Sequence, residues 1–339
     1  MRIMLALALL LVGGACGGDT EAESPPDGAD QRTLTVYSGR EEEFVAPLFE
    51  VFERDTGTFV EVRYGDSAEL AATIIEEGDA SPADVFFSQD AGSLGAVAEA
   101  GLLSTLDDEI LDRVDPRFRS DGGSWVGTSG RGRVAVYNTD EVDPDELPSS
   151  ILGFADPVWK GRLGLPPTNS SFQAHVAAMI LSEGEEATRA FLEGLMDNDP
   201  TFYDDNGATT RAVAAGEIDA GLVNHYYKYE VEAEEGTLPL ANHYFAAGDT
   251  GAFINAAGVG ILGSTANPDE AETFVDYVTG DAGQAFVAED TWEYPVVRGF
   301  EPSVDIIPLA EFRGPDVDLS SLGAELPGAL ALLADVGMV

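Results

Sequence analysis

The chain is 339 residues long and carries 62 acidic against 17 basic residues, a formal net charge of −45, with 44% hydrophobic residues. Charge of this sign repels nucleic acid and anionic lipid, which argues against DNA or RNA as a partner. The hydrophobic content excludes a wholly disordered chain, and the length suffices for a sizeable core in one or two domains. The acidic excess is spread along the chain, and Lys160 and Lys228 are the only lysines. This reads as a solvated acidic surface whose self-repulsion high ionic strength would screen; bulk charge alone defines no metal site.

The first sixteen residues read as an export segment, with Arg2 ahead of an apolar stretch over 3–12 and small residues at Gly13, Gly14 and Ala15. Cys16 is the only cysteine, so no intramolecular disulfide can form. Its position resembles a bacterial lipoprotein lipobox, with Gly13 where a leucine is usual; the other reading is an ordinary cleaved signal peptide with an incidental cysteine. Residues 17–32 are rich in Asp, Glu, Pro and Gly and predict a flexible acidic tether. The expected location is extracytoplasmic, on a lipid anchor at the cell surface or in the periplasm. No internal apolar run approaches the roughly 20 residues that span a bilayer.

After the tether, a β-rich run at 34–38 leads into helical spacing over 41–55, marked by Phe44, Leu48, Phe49 and Phe52. Strands are predicted at 59–62 and 82–87, with helices from Ser67 to Gly78 and over 91–100. Alternation at this spacing predicts an α/β layer with a parallel sheet, whose ligand loops lie beyond the carboxyl ends of its strands. Those ends fall at 38–42, 65–66 and 88–90. Residues 125–138 read as a strand pair leading out of this first lobe. A second α/β unit follows, with a strand at 163–165, helices over 173–181 and 185–196, a loop at 204–208, a helix ending near Gly216 and a strand at 218–223. A strand at 253–262 returns to the first unit, a helix over 268–279 continues through 282–288, and a closing helix lies near 326–334. The fold class is α/β: two lobes joined by crossing strands, with a ligand cleft between them. Lobe 1 is expected over 33–133 with 257–305, and lobe 2 over 134–256 with 306–339.

The stretch Asn224-His225-Tyr226-Tyr227-Lys228-Tyr229 sets three tyrosines within four residues, directly after an apolar strand. A phenol ionises near about pH 10 in water, but a highly charged cation displaces its proton and binds the phenolate. A hard ferric ion prefers such oxygen donors to thiolate or thioether. The plainer alternative is an amphipathic helix with Tyr226 and Tyr229 on one apolar face.

Several stretches in order resemble the periplasmic ferric-ion-binding proteins, the substrate-binding components of iron ABC transporters. They are Leu34-Thr-Val-Tyr-Ser-Gly-Arg40, Glu76-Glu-Gly-Asp-Ala-Ser-Pro-Ala-Asp-Val-Phe-Phe87, Ala98-Glu-Ala-Gly-Leu-Leu103, Ser129-Gly-Arg-Gly-Arg-Val134, Asn224-His-Tyr-Tyr227 and Glu293-Tyr-Pro295. The resemblance covers the whole chain after the tether. It implies a transferrin-like periplasmic-binding-protein fold of type II that closes around one ferric ion, acts as a monomer and delivers its cargo to a membrane permease. It places Tyr226 and Tyr227 as the paired tyrosinate ligands. Elsewhere the chain departs from the pattern: Glu41 stands at a frequent histidine ligand, Gln89 at a glutamate ligand of some relatives, and Phe172 at a third tyrosine of others. Glu41 is a candidate third oxygen donor or a solvated acid at a helix N-terminus; Gln89 is a weaker candidate.

Two phenolates leave an octahedral ferric ion incomplete, and the resemblance implies completion by carbonate, phosphate or water. Ser170 and Ser171 precede a helix whose amino end carries free N–H groups, and the resemblance sets Asn206 and Asn224 beside the anion. Arg40 and Arg131 bring charge and forked hydrogen bonding. The alternatives are helix capping for the serines and structural ion pairs with carboxylates for Arg131 and Arg133. His225 is expected to point away from the metal. The competing function is a two-lobe receptor for a phosphonate or other small organic anion. An enzyme has little to build from, because no His-Glu-x-x-His or Gly-x-Ser-x-Gly is present and the three histidines are far apart.

Overall fold

The computed structural model describes residues 32–339; the export segment, Cys16 and all but the last residue of the expected tether lie outside them. The described chain opens with β1 (Thr33–Ser38), α1 (Glu42–Thr56), β2 (Phe59–Tyr64), α2 (Ser67–Glu77), β3 (Val85–Ser88), α3 (Ala91–Glu99) and the single turn α4 (Asp108–Leu111). Val45, Leu48, Phe49 and Phe52 are the buried stripe of α1 at helical spacing, and Gly57 ends the helix at φ 71°, a left-handed conformation suited to glycine. Such helices supply the crossovers that let β1 pair in parallel with β2 on one side and β3 on the other. Phe49, Phe52 and Phe87 pack their rings against Phe274 to seal this layer.

The second unit runs from β4 (Val126–Asn138) through β5 (Leu163–Leu165), α5 (Ser170–Glu183), α6 (Glu185–Asp197), β6 (Thr201–Phe202), α7 (Asn206–Ala214), β7 (Ala220–Asn224), α8 (Tyr227–Glu235) and β8 (Leu240–His243). The chain then returns through β9 (Ile254–Ile261), α9 (Pro268–Val278), α10 (Asp281–Asp290), β10 (Tyr294–Pro295) and α11 (Leu322–Asp335). Among the described residues, no helix is long and apolar enough to cross a membrane.

The strand order β2-β1-β3-β9-β4-β7-β5-β6 is held together by β4. Its first half pairs antiparallel with β9, ending at Gly132↔Ile254, and its second half pairs with β7 from Arg133↔Asn224. The expected strand pair at 125–138 is therefore one 13-residue strand, buried throughout. Its glycines do not turn the chain; they let neighbours approach. A Cβ on Gly132 would stand 2.8 Å from the Phe312 ring, and one on Gly127 would stand 2.7 Å from the Phe118 carbonyl. Two further expectations change. Asp205 caps α7 by accepting from the Ala208 amide, so Asn206 begins a helix and is not in a loop. Gly280 also separates α9 from α10, which are two helices and not one. α11 packs against both α3 and α5 and so bridges the two halves.

Candidate functional site

Both units end their strands in polar loops on one cleft. The loop after β1 brings Arg40 and Glu41, β3 brings Gln89, the start of α5 brings Ser170 and Ser171, and the end of β7 brings Asn224, Tyr226 and Tyr227. All of these, with Arg131, line a cavity of about 940 Å³. A second cavity of about 220 Å³ shares Arg40, Glu41, Gln89 and the two tyrosines and adds Asp205 and Glu230. This placement beyond the carboxyl ends of strands is where α/β sheets hold ligands.

The tyrosine stretch is not one amphipathic helix. Asn224 ends β7, His225 hydrogen-bonds back to the Gly132 carbonyl at 2.9 Å, and the chain turns so that Tyr226 stands at the N-cap of α8. The two rings stack at 4.4 Å between centroids and 27° between planes. Phe44 and His225 meet Tyr226 edge-on, and Tyr226 is only 3% exposed. Burial pushes the Tyr226 phenol well above its ordinary range and Tyr227 adds to the shift, while Arg131 pulls it down. Burial likewise raises Tyr227. Shifted in this direction, both phenols keep their protons until a cation strong enough to displace them arrives.

His225 is committed elsewhere: its Nδ1 accepts from the Gly132 amide at 3.1 Å and its Nε2 lies 3.1 Å from the Trp292 carbonyl. Burial holds it neutral, with its pKa pushed down to about 4. His175 pairs with the Thr250 carbonyl and His243 with that of Pro148. Among the described residues, no three His, Cys, Asp or Glu side chains come together as a metal-binding group. A metal site in this cleft therefore depends on the phenols. Glu41 occupies the N-cap position of α1, yet its side chain makes no capping hydrogen bond, and it is exposed on both cavities.

Arg40 is buried against Glu293 through two hydrogen bonds of 3.0 Å and donates a third, of 2.8 Å, to Gln89 Oε1. Burial pulls the Arg40 guanidinium down, but the Glu293 charge and hydrogen bonds outweigh it. Burial pushes Glu293 up, and Arg40 and Arg131 more than reverse this to hold its carboxyl below the usual range. Arg131 approaches Glu293 through its Nε at 3.9 Å, too far for a hydrogen bond, and donates to the Gln89 carbonyl.

Among the described residues Arg133 has no carboxylate partner, so the alternative of a structural ion pair does not hold for it. It donates to Asn224 Oδ1 at 3.0 Å, to Asn206 Oδ1 and Ser171 Oγ at 3.3 Å each, and to the Leu222 carbonyl at 2.7 Å. Desolvation pushes its pKa down to about 9. Asn169, the N-cap of α5, accepts from the Ser171 amide and hydroxyl and from Asn206 Nδ2. Ser171 and Asn206 thus spend their hydrogen-bonding groups on the protein, whereas Ser170 is exposed to the cleft. Sequence reasoning left Arg133 and Glu293 out of the site. The two-residue spacing of Arg131 and Arg133 on one strand, which sets both on the same face, was the available signal for Arg133. Nothing local marks Glu293 as their counter-ion.

A two-lobe α/β protein whose polar loops converge on a cleft, with stacked phenols and buried arginines, has the architecture of the solute receptors. The model of the bacterial extracellular solute-binding protein family matches residues 80–313. The chain belongs to that family. It is 33% identical over 339 residues to the Fe(3+)-binding periplasmic protein of Serratia marcescens, covering 99% of this chain and 96% of that one. It is 33% identical to the major ferric iron-binding protein of Neisseria meningitidis serogroup A, over 90% of this chain and 93% of that one. Among solved structures, iron-bound HitA from Pseudomonas aeruginosa superposes with a TM-score of 0.84 at 36% identity, over 90% of this chain and 99% of that one.

Proposed function

We propose that this protein is an extracytoplasmic receptor that captures ferric iron on Tyr226 and Tyr227 and delivers it to an ABC permease. The observation that carries the reading is the stacked phenol pair at the end of β7, Tyr226 buried and Tyr227 half-buried, in a cleft where no three His, Cys, Asp or Glu side chains come together among the described residues. Its relatives are named for ferric iron binding. A trivalent cation supplies the charge that burial demands before either phenol gives up its proton. Glu41 adds a third oxygen from the edge of both cavities. An anion, carbonate or phosphate, or water completes the coordination.

Charge supports an anion. Arg40, Arg131 and Arg133 are each no more than 4% exposed, and among the described residues Glu293 is the buried carboxylate that faces the first two, with none paired to Arg133. Adding iron against two phenolates increases the local positive charge, and an oxyanion beside Ser170 and Arg131 offsets it. Lipidation at Cys16 would tether the receptor to the membrane as a monomer; the mass of the mature amino terminus tests that.

The test of function is a visible-absorption titration of metal-free protein with a weak ferric chelate. A phenolate-to-iron band saturating at one iron per chain, and lost in both Tyr226→Phe and Tyr227→Phe, is the expected result. Absence of the band at every iron level would overturn the reading, and binding of a small phosphonate in its place would make the protein an organic-anion receptor.

A further inference from the structure

Arg133 is buried, with 2% of its surface exposed, and does not reach the cavity, so it cannot touch a ligand there. It acts on the groups that can. Arginine has donors and no acceptor. Every amide that meets it must therefore turn its oxygen inward and its NH2 group away. Asn206 and Asn224 both do this, giving their Oδ1 atoms to the same Nη1. The Asn206 NH2 is then consumed by Asn169 Oδ1 at 2.9 Å and Ser171 Oγ at 3.1 Å. The Asn224 NH2 finds no acceptor among the described residues. Asn224 is 2% exposed and lines the 940 Å³ cavity beside Tyr226. With its oxygen held by Arg133, this NH2 group stands on the cleft wall free of protein acceptors among the described residues and open to a ligand.

We infer that Arg133 is a positioning residue: it locks the Asn224 amide with its NH2 toward the cleft and so makes that wall a donor surface for a deprotonated oxyanion. Without the guanidinium the amide is free to flip, and a flipped Asn224 would present an oxygen that repels the same anion. The positive charge of Arg133, paired with no carboxylate among the described residues, acts in the same direction across a few ångströms of low-dielectric interior. This inference rests on the iron-plus-anion reading and assigns the anion's protonation state: the accepted species offers bare oxygen to Asn224. Water, which both donates and accepts, gains least from this wall.

The test measures how much inorganic phosphate, and separately carbonate, tightens ferric binding, as the ratio of affinities with and without the anion. The proteins are wild type, Arg133→Met, Asn224→Asp and the double variant. Asn224→Asp keeps an acceptor on Arg133, and an ion pair with it, while removing the NH2, so it separates the donor role from packing. The ratio is expected to fall about tenfold or more in each single variant, the scale seen when groups that orient a metal site are lost. The double variant is expected to fall no further than Asn224→Asp alone, because both changes act through one amide. Should Arg133→Met fail to fold, Arg133→Gln removes the charge and brings an acceptor that lets the Asn224 amide flip, and it is expected to lose the ratio as well. An Arg133 variant whose ratio stays within about twofold of wild type, or a double variant whose loss is the product of the singles, overturns the inference. Wild type that shows the iron band with no anion dependence overturns it too, while leaving the iron reading intact. Loss of the band in wild type would overturn the iron reading itself.

Discussion

Arg40 and Glu293, 253 residues apart in the chain, meet through two parallel hydrogen bonds of 3.0 Å each, and both side chains are almost wholly buried. Ser129 donates to the same carboxylate at 2.6 Å, and Arg131 approaches it to 3.9 Å. One carboxylate therefore joins the loop after β1, strand β4 and the segment before β10. Such a pair contributes little net stability against a well-packed apolar substitute, but removing one partner leaves charge stranded in the interior.

Glu293→Gln is expected to destabilise the iron-free protein by about 3–5 kcal/mol, because Arg40 and Arg131 lose their shared counter-ion. Urea denaturation at neutral pH checks the loss. The depressed carboxyl pKa gives the sign of its pH dependence. The stabilisation is complete above the unfolded glutamate range and is lost as pH falls through the lower folded value. The variant should lack that acid limb.

His175 predicts a second limb at milder pH. Burial and the nearby Arg133 push its pKa down to about 3. In the unfolded chain it takes its proton near about pH 6.5, so stability is full above that point. It declines as pH falls toward the folded value, by up to about 1.4 kcal/mol per pH unit. Urea midpoints of the iron-free protein between neutrality and mild acid should fall less steeply in His175→Gln than in wild type. An equal slope would show that the ring is protonated in the fold.

Glu41→Gln separates a metal donor from a helix-end charge. The side chain makes no capping hydrogen bond, so thermal stability should change by no more than about 0.5 kcal/mol. Ferric affinity, measured by competition with a chelator, should fall about tenfold or more. Unchanged affinity would remove Glu41 from the iron site.

Gly92 sits where α3 meets the start of α11. A Cβ there would stand 2.6 Å from the Gly323 backbone nitrogen, and no side chain can move aside to admit it. Gly92→Ala is expected to cost about 1–3 kcal/mol through overpacking. A melting curve matching wild type would show that α11 shifts freely on α3.

Much of the architecture is written in local periodicity. The stripe of Val45, Leu48, Phe49 and Phe52 marks α1, and the apolar runs at β1, β3, β7 and β9 mark strands, because burial on one face or both leaves a regular trace. The strand β4 was harder to read because its glycines look like breakers, whereas they are spaces for Phe118 and Phe312 to fill. The tyrosine pair stands out by composition and by following an apolar strand. The choice of partner for each buried arginine does not. Arg40 finds a carboxylate hundreds of residues away, while Arg133 finds only amides, a hydroxyl and a carbonyl, and nothing in the neighbouring sequence distinguishes the two. Asn206 reads as a loop residue from sequence because the capping role of Asp205 depends on the Ala208 amide folding back to meet it.

The antiparallel pairing of β3 with β9, Val85 against Ile261, has a consequence for how the chain is made. During synthesis the strands β1, β2 and β3 emerge early, but β3 keeps an open edge until Ile261 has left the ribosome. Glu293, which neutralises Arg40, emerges later still. Contacts of such long sequence separation form slowly, since loop closure precedes any gain from them. The nascent protein therefore has no complete first sheet to fold into until most of its length exists.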